Sequence, residues 1–209
     1  MRALINFFLC LVLSTSLMAQ TYAPVKDLPS FKTNFAKASS AIQSIESDFV
    51  QVKNLSLLKD KLTSKGKFFY KKENKVRIEY TSPYKYCMVI NDKQMTVKDE
   101  QKTSSYNTRS NKMMQSINGI MLDCMRGTVY ANKDFVTTVF ENTKDYQLIL
   151  TPNTGMMKKM FSKIEVYLDK KTFQVVRLNM IETGGDNSLM TFTNTTLNKT
   201  IADALFAIK

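Results

Sequence analysis

The sequence contains no histidine and no tryptophan, and it has only three cysteines. Without histidine, the chain lacks the commonest general base and the commonest metal ligand of proteins. Cys87 and Cys124, the two cysteines beyond the first segment, do not have the spacing of a metal site. No glycine-rich phosphate loop and no Gly-x-Ser-x-Gly turn occurs. These absences argue against an enzyme, and they predict no metal and no cofactor.

Two pairs of reactive residues still need an interpretation. Glu46 and Asp48 share one face of a predicted strand, and on a basic surface we expect them to form ion pairs rather than to catalyse. Cys87 and Cys124 could form a disulfide in an oxidising compartment. The apolar run Tyr86-Cys87-Met88-Val89-Ile90 favours instead two buried thiols that pack as small hydrophobic groups. The sequence alone leaves both thiol states open.

The charge is strongly of one sign, because 30 lysines and arginines stand against 18 acids, for a net charge of +12. Such a field favours anionic partners, among them phospholipid headgroups, acidic protein surfaces and nucleic acid. Basic residues are scattered along predicted strand exteriors, as at Lys65, Lys67, Lys71, Lys72, Lys75 and Arg77. This scatter indicates a solvated face rather than a specific patch.

Long apolar runs are also absent, apart from one at the start of the chain. Residues 1–20 combine Arg2, an apolar run and the small residue Ala19, a pattern typical of a secretory signal peptide. The run is shorter than the roughly 20 residues that cross a bilayer, and Cys10 lacks the setting of a lipid-attachment site. We therefore expect cleavage after Ala19, export to the periplasm of a Gram-negative bacterium, and one soluble domain over residues 20–209. An exported chain makes nucleic acid an improbable partner, so we expect none.

The rest of the chain consists mainly of short strand patterns. Phe31, Phe35, Ala38 and Ile42 recur at steps of three and four, which predicts a first helix over 28–42. Alternation and turn signals predict eleven strands, at about 45–54, 62–71, 75–81, 86–91, 94–99, 102–107, 134–141, 145–151, 162–169, 173–182 and 187–197. Consecutive strands joined by tight turns indicate an antiparallel meander.

A methionine-rich segment interrupts the strands at 111–127. Its apolar residues have helical spacing, and Gly119 and Gly127 resemble stop signals, so we predict a pair of helices there. Residues 156–161 could form a short helix or a loop. Many strands with few helices exclude a parallel sheet covered by helices. The prediction is an α+β fold, an incomplete antiparallel β-barrel whose concave face is covered by the helices as a lid.

One stretch carries a resemblance to a known family. Val76, Ile78 and Tyr80 alternate with Lys75, Arg77 and Glu79, and Ser82-Pro83 ends this strand. Phe49-x-Gln51 precedes it, Gly66 opens the predicted hairpin, and Val89-Ile90-Asn91-Asp92-Lys93 follows. The last motifs in this series are the turn Gly185-Asp186-Asn187-Ser188 and the run Thr191-Phe192-Thr193-Asn194. Together these motifs resemble the LolA-type periplasmic carriers of outer-membrane lipoproteins over nearly the whole mature chain.

The resemblance implies a function and a set of partners. LolA-type proteins take acylated lipoproteins from an inner-membrane ABC transporter and carry them to the outer membrane, where the acceptor for this chain is unknown. We expect a monomeric chaperone that shields acyl chains, each CH₂ of which costs about 0.8 kcal/mol in water. Two alternatives share the fold: a periplasmic sensor of lipid or peptide in envelope stress, and a carrier of another amphiphile such as a glycolipid. Fold alone does not separate the three.

Methionine suits the lining of such a cavity, because its flexible side chain repacks around irregular guests. Of the 13 methionines, only Met1 and Met18 lie in the leader. Alternation predicts a lipid-binding cavity lined by Phe49, Phe68, Tyr70, Val76, Ile78, Tyr80, Met88, Ile90, Met95, Val97, Ile164, Val166, Leu168, Val176, Leu178, Met190 and Phe192. The predicted lid residues are Met113, Met114, Ile117, Ile120, Met121 and Met125.

One departure from the family concerns how the lid is held. Proteobacterial members place an arginine before a proline at about Lys72-Glu73, where it helps to hold the lid by hydrogen bonds. Lys72 is the candidate for that role here, although lysine cannot form the forked bond of arginine. The role of the C-terminal segment 201–209, as a closing strand or a docking tail, is left open.

Overall fold

The structure is a computed structural model that describes residues 21–57, 60–108 and 112–208, without the side chains of 112–118. The predicted leader and Cys10 lie outside these residues. The helices are α1 Leu28–Ser40, α2 Lys112–Arg126 and α3 Gly155–Met160. The strands are β1 Ala23–Pro24, β2 Ser44–Asn54, β3 Leu62–Lys71, β4 Lys75–Ser82, β5 Tyr86–Asn91, β6 Gln94–Lys98, β7 Thr103–Asn107, β8 Phe135–Glu141, β9 Asp145–Pro152, β10 Phe161–Asp169, β11 Val175–Glu182 and β12 Asn187–Leu197.

All strands join one antiparallel sheet of 12 strands, in the order β1-β8-β9-β10-β11-β12-β2-β3-β4-β5-β6-β7. The sheet is curved but not closed, so β1 and β7 remain as its edges. This architecture confirms the predicted incomplete barrel. The short β1 is an addition to the eleven predicted strands, since Ala23 and Pro24 pair with the end of β8. No helix in the described residues has both the length and the apolar character required to cross a membrane.

Helix α1 begins where the sequence predicts. The Asp27 side chain accepts a hydrogen bond of 2.9 Å from the Ser30 backbone, which caps the helix start. Phe31 and Phe35 are buried on the inner side of the sheet. Because α1 leads from the edge strand β1 to the central strand β2, it crosses the concave face on the way.

Helix α2 crosses the same face, because it connects strands from opposite ends of the sheet. It follows the edge strand β7 and precedes β8, which lies at the other edge beside β1. The predicted pair of helices is therefore wrong: one continuous helix spans Lys112–Arg126, and Gly119 lies inside it. A glycine within a helix lowers its stability but does not end it when tertiary packing holds both sides.

Gly127 is the true end of α2, as predicted. Its φ is +68°, a left-handed conformation that favours glycine. The Thr128 N–H donates to the Asp123 carbonyl at 2.9 Å, and the Gly127 N–H donates to the Cys124 carbonyl, which together form a Schellman motif. A side chain at Gly127 would lie 3.0 Å from the Ala36 Cα of α1. The end of α2 therefore packs directly against α1.

Gly66 does not open a hairpin, which corrects the predicted role of this residue. It lies inside β3, opposite Phe49 on β2. A Cβ at Gly66 would lie 2.6 Å from the Phe49 ring and would also meet the Glu79 carbonyl. Glycine is needed here because an aromatic ring covers the backbone, and the register with β4 shifts at the same place.

The C-terminal segment is not a closing strand of the sheet. It runs over the convex face as a docked segment with a 3₁₀ turn at Asp203–Phe206. Ile201 and Phe206 are buried there against Phe69 and Val89, which point outward from β3 and β5. The face of β4 that we predicted to be exposed to solvent is thus partly covered by the C-terminal segment.

Outward-facing charges hold this docked segment. Lys71 and Lys75 form ion pairs with Asp203 at 2.9 and 2.8 Å. The Arg77 guanidinium donates to the Leu205 carbonyl at 3.0 Å. Three of the residues expected to form a solvated basic face therefore bind the chain's own C-terminal segment.

Candidate functional site

The concave side of the sheet carries two apolar clusters. The first, the β8–β11 cluster, is built from Phe31, Phe35, Ile120, Cys124, Val129, Phe135, Val139, Leu148, Leu150, Met157, Phe161, Ile164, Val166 and Leu168. The second, the β2–β6 cluster, is built from Ile42, Ile45, Phe49, Phe68, Tyr70, Val76, Ile78, Ile90, Met95, Met125 and Met190. Both lie on inward-facing positions, as alternation along the strands requires.

Helix α2 lies between the two clusters and contributes to each. Ile120 and Cys124 belong to the β8–β11 cluster, whereas Met125, with Met121 and Leu122 beside it, belongs to the β2–β6 cluster. These contacts are apolar. At the helix end, the Asp123 carboxylate accepts hydrogen bonds from Thr128 at 3.2 Å and Asn132 at 2.8 Å. In this conformation, hydrogen bonds as well as apolar contacts hold the last turn of α2.

An internal cavity separates α2 from the sheet. Its apolar lining consists of Ile42, Ile45, Phe68, Cys124, Met125, Phe173, Val175, Phe192 and Leu197. The free volume is about 20 Å³, which is room for about one water molecule. An acyl chain does not fit in so small a space. At this cavity the structure is closed, and a larger guest there would require α2 to move away from the sheet.

The remaining lining is polar but uncharged. Ser39, Ser47, Gln174 and Thr195 border the cavity. The Ser47 hydroxyl is buried and has no hydrogen-bond partner among the described residues. A buried hydroxyl without a partner costs about 1–3 kcal/mol. Ser47 therefore offers a bond to a water molecule or to a polar atom of a guest.

The structure places sixteen of the predicted lining residues in or against the two clusters. The β2–β6 cluster holds Phe49, Phe68, Tyr70, Val76, Ile78, Tyr80, Met88, Ile90, Met95, Val97, Met190 and Phe192. The β8–β11 cluster holds Ile164, Val166, Leu168 and Leu178. Of all these, Phe68 and Phe192 border the closed cavity itself. A role for the others in binding stays a prediction for the open state.

Val176 is the exception among the predicted lining residues. Val175, one residue earlier, packs against both clusters and borders the cavity. The register between β10 and β11 shifts between Tyr167 and Leu168, so that Leu168 faces Val175. A bulge reverses the inward and outward alternation at that point, and simple alternation along β11 cannot detect it.

Sequence reasoning also missed part of the lining. Ile42, Ile45 and Leu197 come from strand or helix ends, and Phe173 has a φ of +57° in the turn before β11. Phe173 contacts Phe31 and Phe35 of α1, with ring centroids 5.9 and 6.3 Å apart. The available signal was an aromatic residue in a turn, which is unusual unless it is covered by another element.

The predicted lid residues divide according to what the structure describes. Ile120, Met121 and Met125 lie on α2 and pack inward. Met113, Met114 and Ile117 lie in the first half of α2, whose side chains are outside the described part. The Lys72 side chain is exposed in the β3–β4 turn, and no hydrogen bond or ion pair joins it to the described residues of α2. Its backbone N–H donates to the Gln43 carbonyl at 2.8 Å.

A row of polar side chains, two of them buried and Tyr80 half-buried, lies at one end of the β2–β6 cluster. The Gln51 amide donates to the Ser188 hydroxyl at 2.6 Å, and the Tyr80 hydroxyl donates to the Gln51 amide oxygen at 2.9 Å. Burial raises the pKa of Tyr80 to about 12, so the phenol stays a donor at neutral pH. We call Gln51, Tyr80 and Ser188 the polar row.

Neither cysteine is bonded to the other. Cys124 is buried on α2, whereas Cys87 is half-buried on the convex face beside the docked C-terminal segment. Cys124 is buried as predicted, whereas Cys87, also predicted to be buried, is only half-buried. Burial raises the pKa of the Cys124 thiol to about 12 and also raises that of Cys87. Within the described residues, no cluster of three or more acidic or cysteine side chains could hold a metal ion.

The expected ion pairs of the two acids are present. Asp48 pairs with Lys67 at 3.2 Å and Glu46 with Lys199 at 2.8 Å. Both pairs lie on the convex face, away from the apolar clusters.

An open antiparallel half-barrel with an apolar interior that an internal helix covers defines a class of binding and carrier proteins. The chain belongs to the LolA family, because the model of that family, described as outer membrane lipoprotein carrier protein LolA, matches residues 40–209. No curated protein matches the sequence.

Solved structures share the fold at low sequence identity. A protein of Thermus thermophilus is 8% identical with a TM-score of 0.52, over 85% of this chain and 91% of that one. MucB of Pseudomonas aeruginosa is 14% identical with a TM-score of 0.50, over 86% of this chain and 62% of MucB. A LolA superfamily protein of Nitrosomonas europaea is 9% identical with a TM-score of 0.46, over 85% and 97% of the two chains. At such identities the likeness shows the fold alone.

Proposed function

We propose that this protein is a periplasmic carrier that holds the acyl chains of lipoproteins between α2 and the concave face of the sheet, and delivers them toward the outer membrane. The observation that carries the proposal is the lining of the internal cavity, which contains apolar and neutral polar side chains and no charged group. Such a lining favours the hydrocarbon part of a guest and excludes a charged headgroup. The leader predicted at residues 1–19 would bring the protein to the periplasm.

The closed cavity agrees with a carrier that hides its apolar surface when empty. Exposed apolar patches promote aggregation in water, and packing α2 into both clusters covers this surface. Loading would replace the contacts of Ile120, Cys124 and Met125 with contacts to acyl chains. Apolar contacts lack direction, so the exchange costs little and suits guests of different shape.

A displacement assay tests the proposal. The protein is mixed with a fluorescent fatty-acid probe, and a synthetic diacylated lipopeptide is then added. We expect the probe to bind and the lipopeptide to displace it in proportion to its concentration. The same peptide without acyl chains is the control and should displace nothing.

Other amphiphiles distinguish the two alternative functions. A glycolipid that displaces the probe while the lipopeptide does not would favour a carrier of that lipid. A protein that binds no probe at all would contradict a lipid-binding interior. In the proposed pathway, an inner-membrane ABC transporter would supply the lipoprotein, and a monomer would carry it.

A further inference from the structure

Exposed apolar side chains gather at one end of the sheet. In an antiparallel sheet alternate turns lie at the same end, so the β2–β3, β4–β5 and β11–β12 turns lie together. Leu57 in the first turn and Leu62 at the start of β3 are 96% and 49% exposed, and Tyr84 in the second turn and Tyr86 at the start of β5 are 75% and 37% exposed. We call these four residues the apolar rim.

Exposing apolar side chains to water is energetically unfavourable. Single exposed apolar residues are ordinary, but a group on adjacent turns marks a site of contact with a protein or a membrane. Leu62, Tyr84 and Tyr86 border one open groove of about 420 Å³ together with Lys53 and Pro83. Leu62, Tyr84 and Tyr86 therefore form one continuous surface, and Leu57 lies in the turn that leads to Leu62.

The charges around the rim indicate which contact it makes. Lys53, Lys61, Lys65 and Lys85 are exposed on the same two turns and the adjoining strand segments. The acids described nearby are Asp60, Asp186, which accepts hydrogen bonds from Ser56, and Glu79, Asp99 and Glu100, which border a second groove with Lys85 and Tyr86. Tyrosine at the level of the headgroups, leucine below it and lysine around them is the composition of a membrane interface. Each lysine near an anionic bilayer contributes about 1 kcal/mol to attraction.

We propose that the apolar rim docks on the surface of an anionic phospholipid bilayer, with Leu57 and Tyr84 entering the interface and the four lysines meeting the headgroups. This contact does not rest on the carrier function. The rim groove is bordered by Gln51 and Tyr80 of the polar row, which lies at one end of the β2–β6 cluster. A docked molecule would therefore present this end of its apolar interior to the bilayer.

The absence of tryptophan provides a direct test, because a single introduced tryptophan is the only one in the chain. Tyr84→Trp places the reporter on the rim, where high exposure makes the substitution tolerable. Tyr106→Trp is the matched control, on the exposed edge strand β7 near the opposite end. We expect vesicles containing phosphatidylglycerol to shift the emission of Tyr84→Trp to the blue, while Tyr106→Trp does not change. Brominated lipid should quench only the first.

A sedimentation assay tests the charge argument with vesicles and without any lipoprotein. Lys53→Glu with Lys85→Glu should weaken binding to phosphatidylglycerol vesicles roughly tenfold or more. The control variant, Lys93→Glu with Lys144→Glu, changes the net charge by the same amount at the opposite end of the sheet. It should retain most of the binding to these vesicles. Phosphatidylcholine vesicles should bind the protein weakly.

Three results would each overturn the proposal: no binding of the protein to anionic vesicles, an unshifted Tyr84→Trp spectrum in their presence, or equal losses from the two lysine pairs. The first two would favour a protein partner for the rim, and the third a diffuse attraction without a docking face. Probe binding by the interior is unaffected by any of them, so failure here is separate from failure of the carrier function.

Discussion

The movement of α2 can be tested at its C-terminal end. Replacing Gly127 by alanine puts a side chain on a residue whose φ is +68°, which costs about 1–2 kcal/mol. The new Cβ would also lie 2.9 Å from the Ser39 hydroxyl, 3.0 Å from the Ala36 Cα and 3.1 Å from the Phe35 carbonyl oxygen. Backbone atoms of α1 cannot rotate away, so the end of α2 must shift.

A combined cost of about 2 kcal/mol raises the population of detached α2 roughly 30-fold. Cys124 reports this population, because its thiol is 4% exposed in the closed state and burial raises its pKa to about 12. Opening exposes the thiol and restores its reactivity. In a Cys87→Ser background, the labelling rate of Cys124 by a thiol reagent should therefore rise about as much as the open population.

Gly119→Ala is the matched control for this experiment. Among the described atoms outside the backbone of α2, none lies within 4 Å of a Cβ there, and alanine favours a helix interior by about 1 kcal/mol over glycine. Labelling should then be unchanged or slower. A Gly127→Ala variant that labels at the wild-type rate would contradict a local opening of α2, as would labelling that follows global unfolding, measured in urea, in every variant.

Three further predictions concern the sheet and its C-terminal segment. Gly66→Ala should lower the urea midpoint markedly, since the Phe49 ring and a carbonyl occupy the space of the new methyl group; an unchanged midpoint would contradict the packing described. Val76→Asp should abolish probe binding, whereas Val89→Asp, equally buried but on the convex face, should retain it. Binding is measured by titration and expressed per folded molecule, with the folded fraction taken from circular dichroism. The two lysines that pair with Asp203 lower its pKa to about 2. Docking of the C-terminal segment should therefore be complete above pH 4 and weaken as pH falls toward 2, and Asp203→Asn should expose this segment to carboxypeptidase at neutral pH.

The alternation of strand residues predicted most of the interior correctly. In β4, Val76 and Ile78 point inward and Arg77 points outward, because a strand places successive side chains on opposite faces. The prediction failed at a bulge, where Val175 takes the place expected for Val176. Bulges depend on strand pairing, and a single strand's sequence does not record them.

The sequence also contains a signal that the convex face is covered, although the alternation of apolar and polar residues does not reveal it. Phe68-Phe69-Tyr70 and Met88-Val89-Ile90 are continuous apolar runs, which are typical of strands buried on both faces. Phe69 and Val89 are indeed covered from outside by Ile201 and Phe206. The run indicates that a cover exists, but it does not identify a segment more than a hundred residues away in the chain.

The sequence by itself determined eleven of the twelve strands, the apolar side of most of them, and where the helical segments lie, because these follow from local periodicity and turn chemistry. Only the tertiary structure decided that α2 is one helix between two clusters, that the C-terminal segment covers the outside, and that the cavity beside Cys124 and Met125 is small. These features depend on contacts between residues far apart in the chain. The free volume between packed surfaces is the small difference between two large volumes, the enclosed volume and the volume that the side chains fill. No local sequence pattern encodes such a difference.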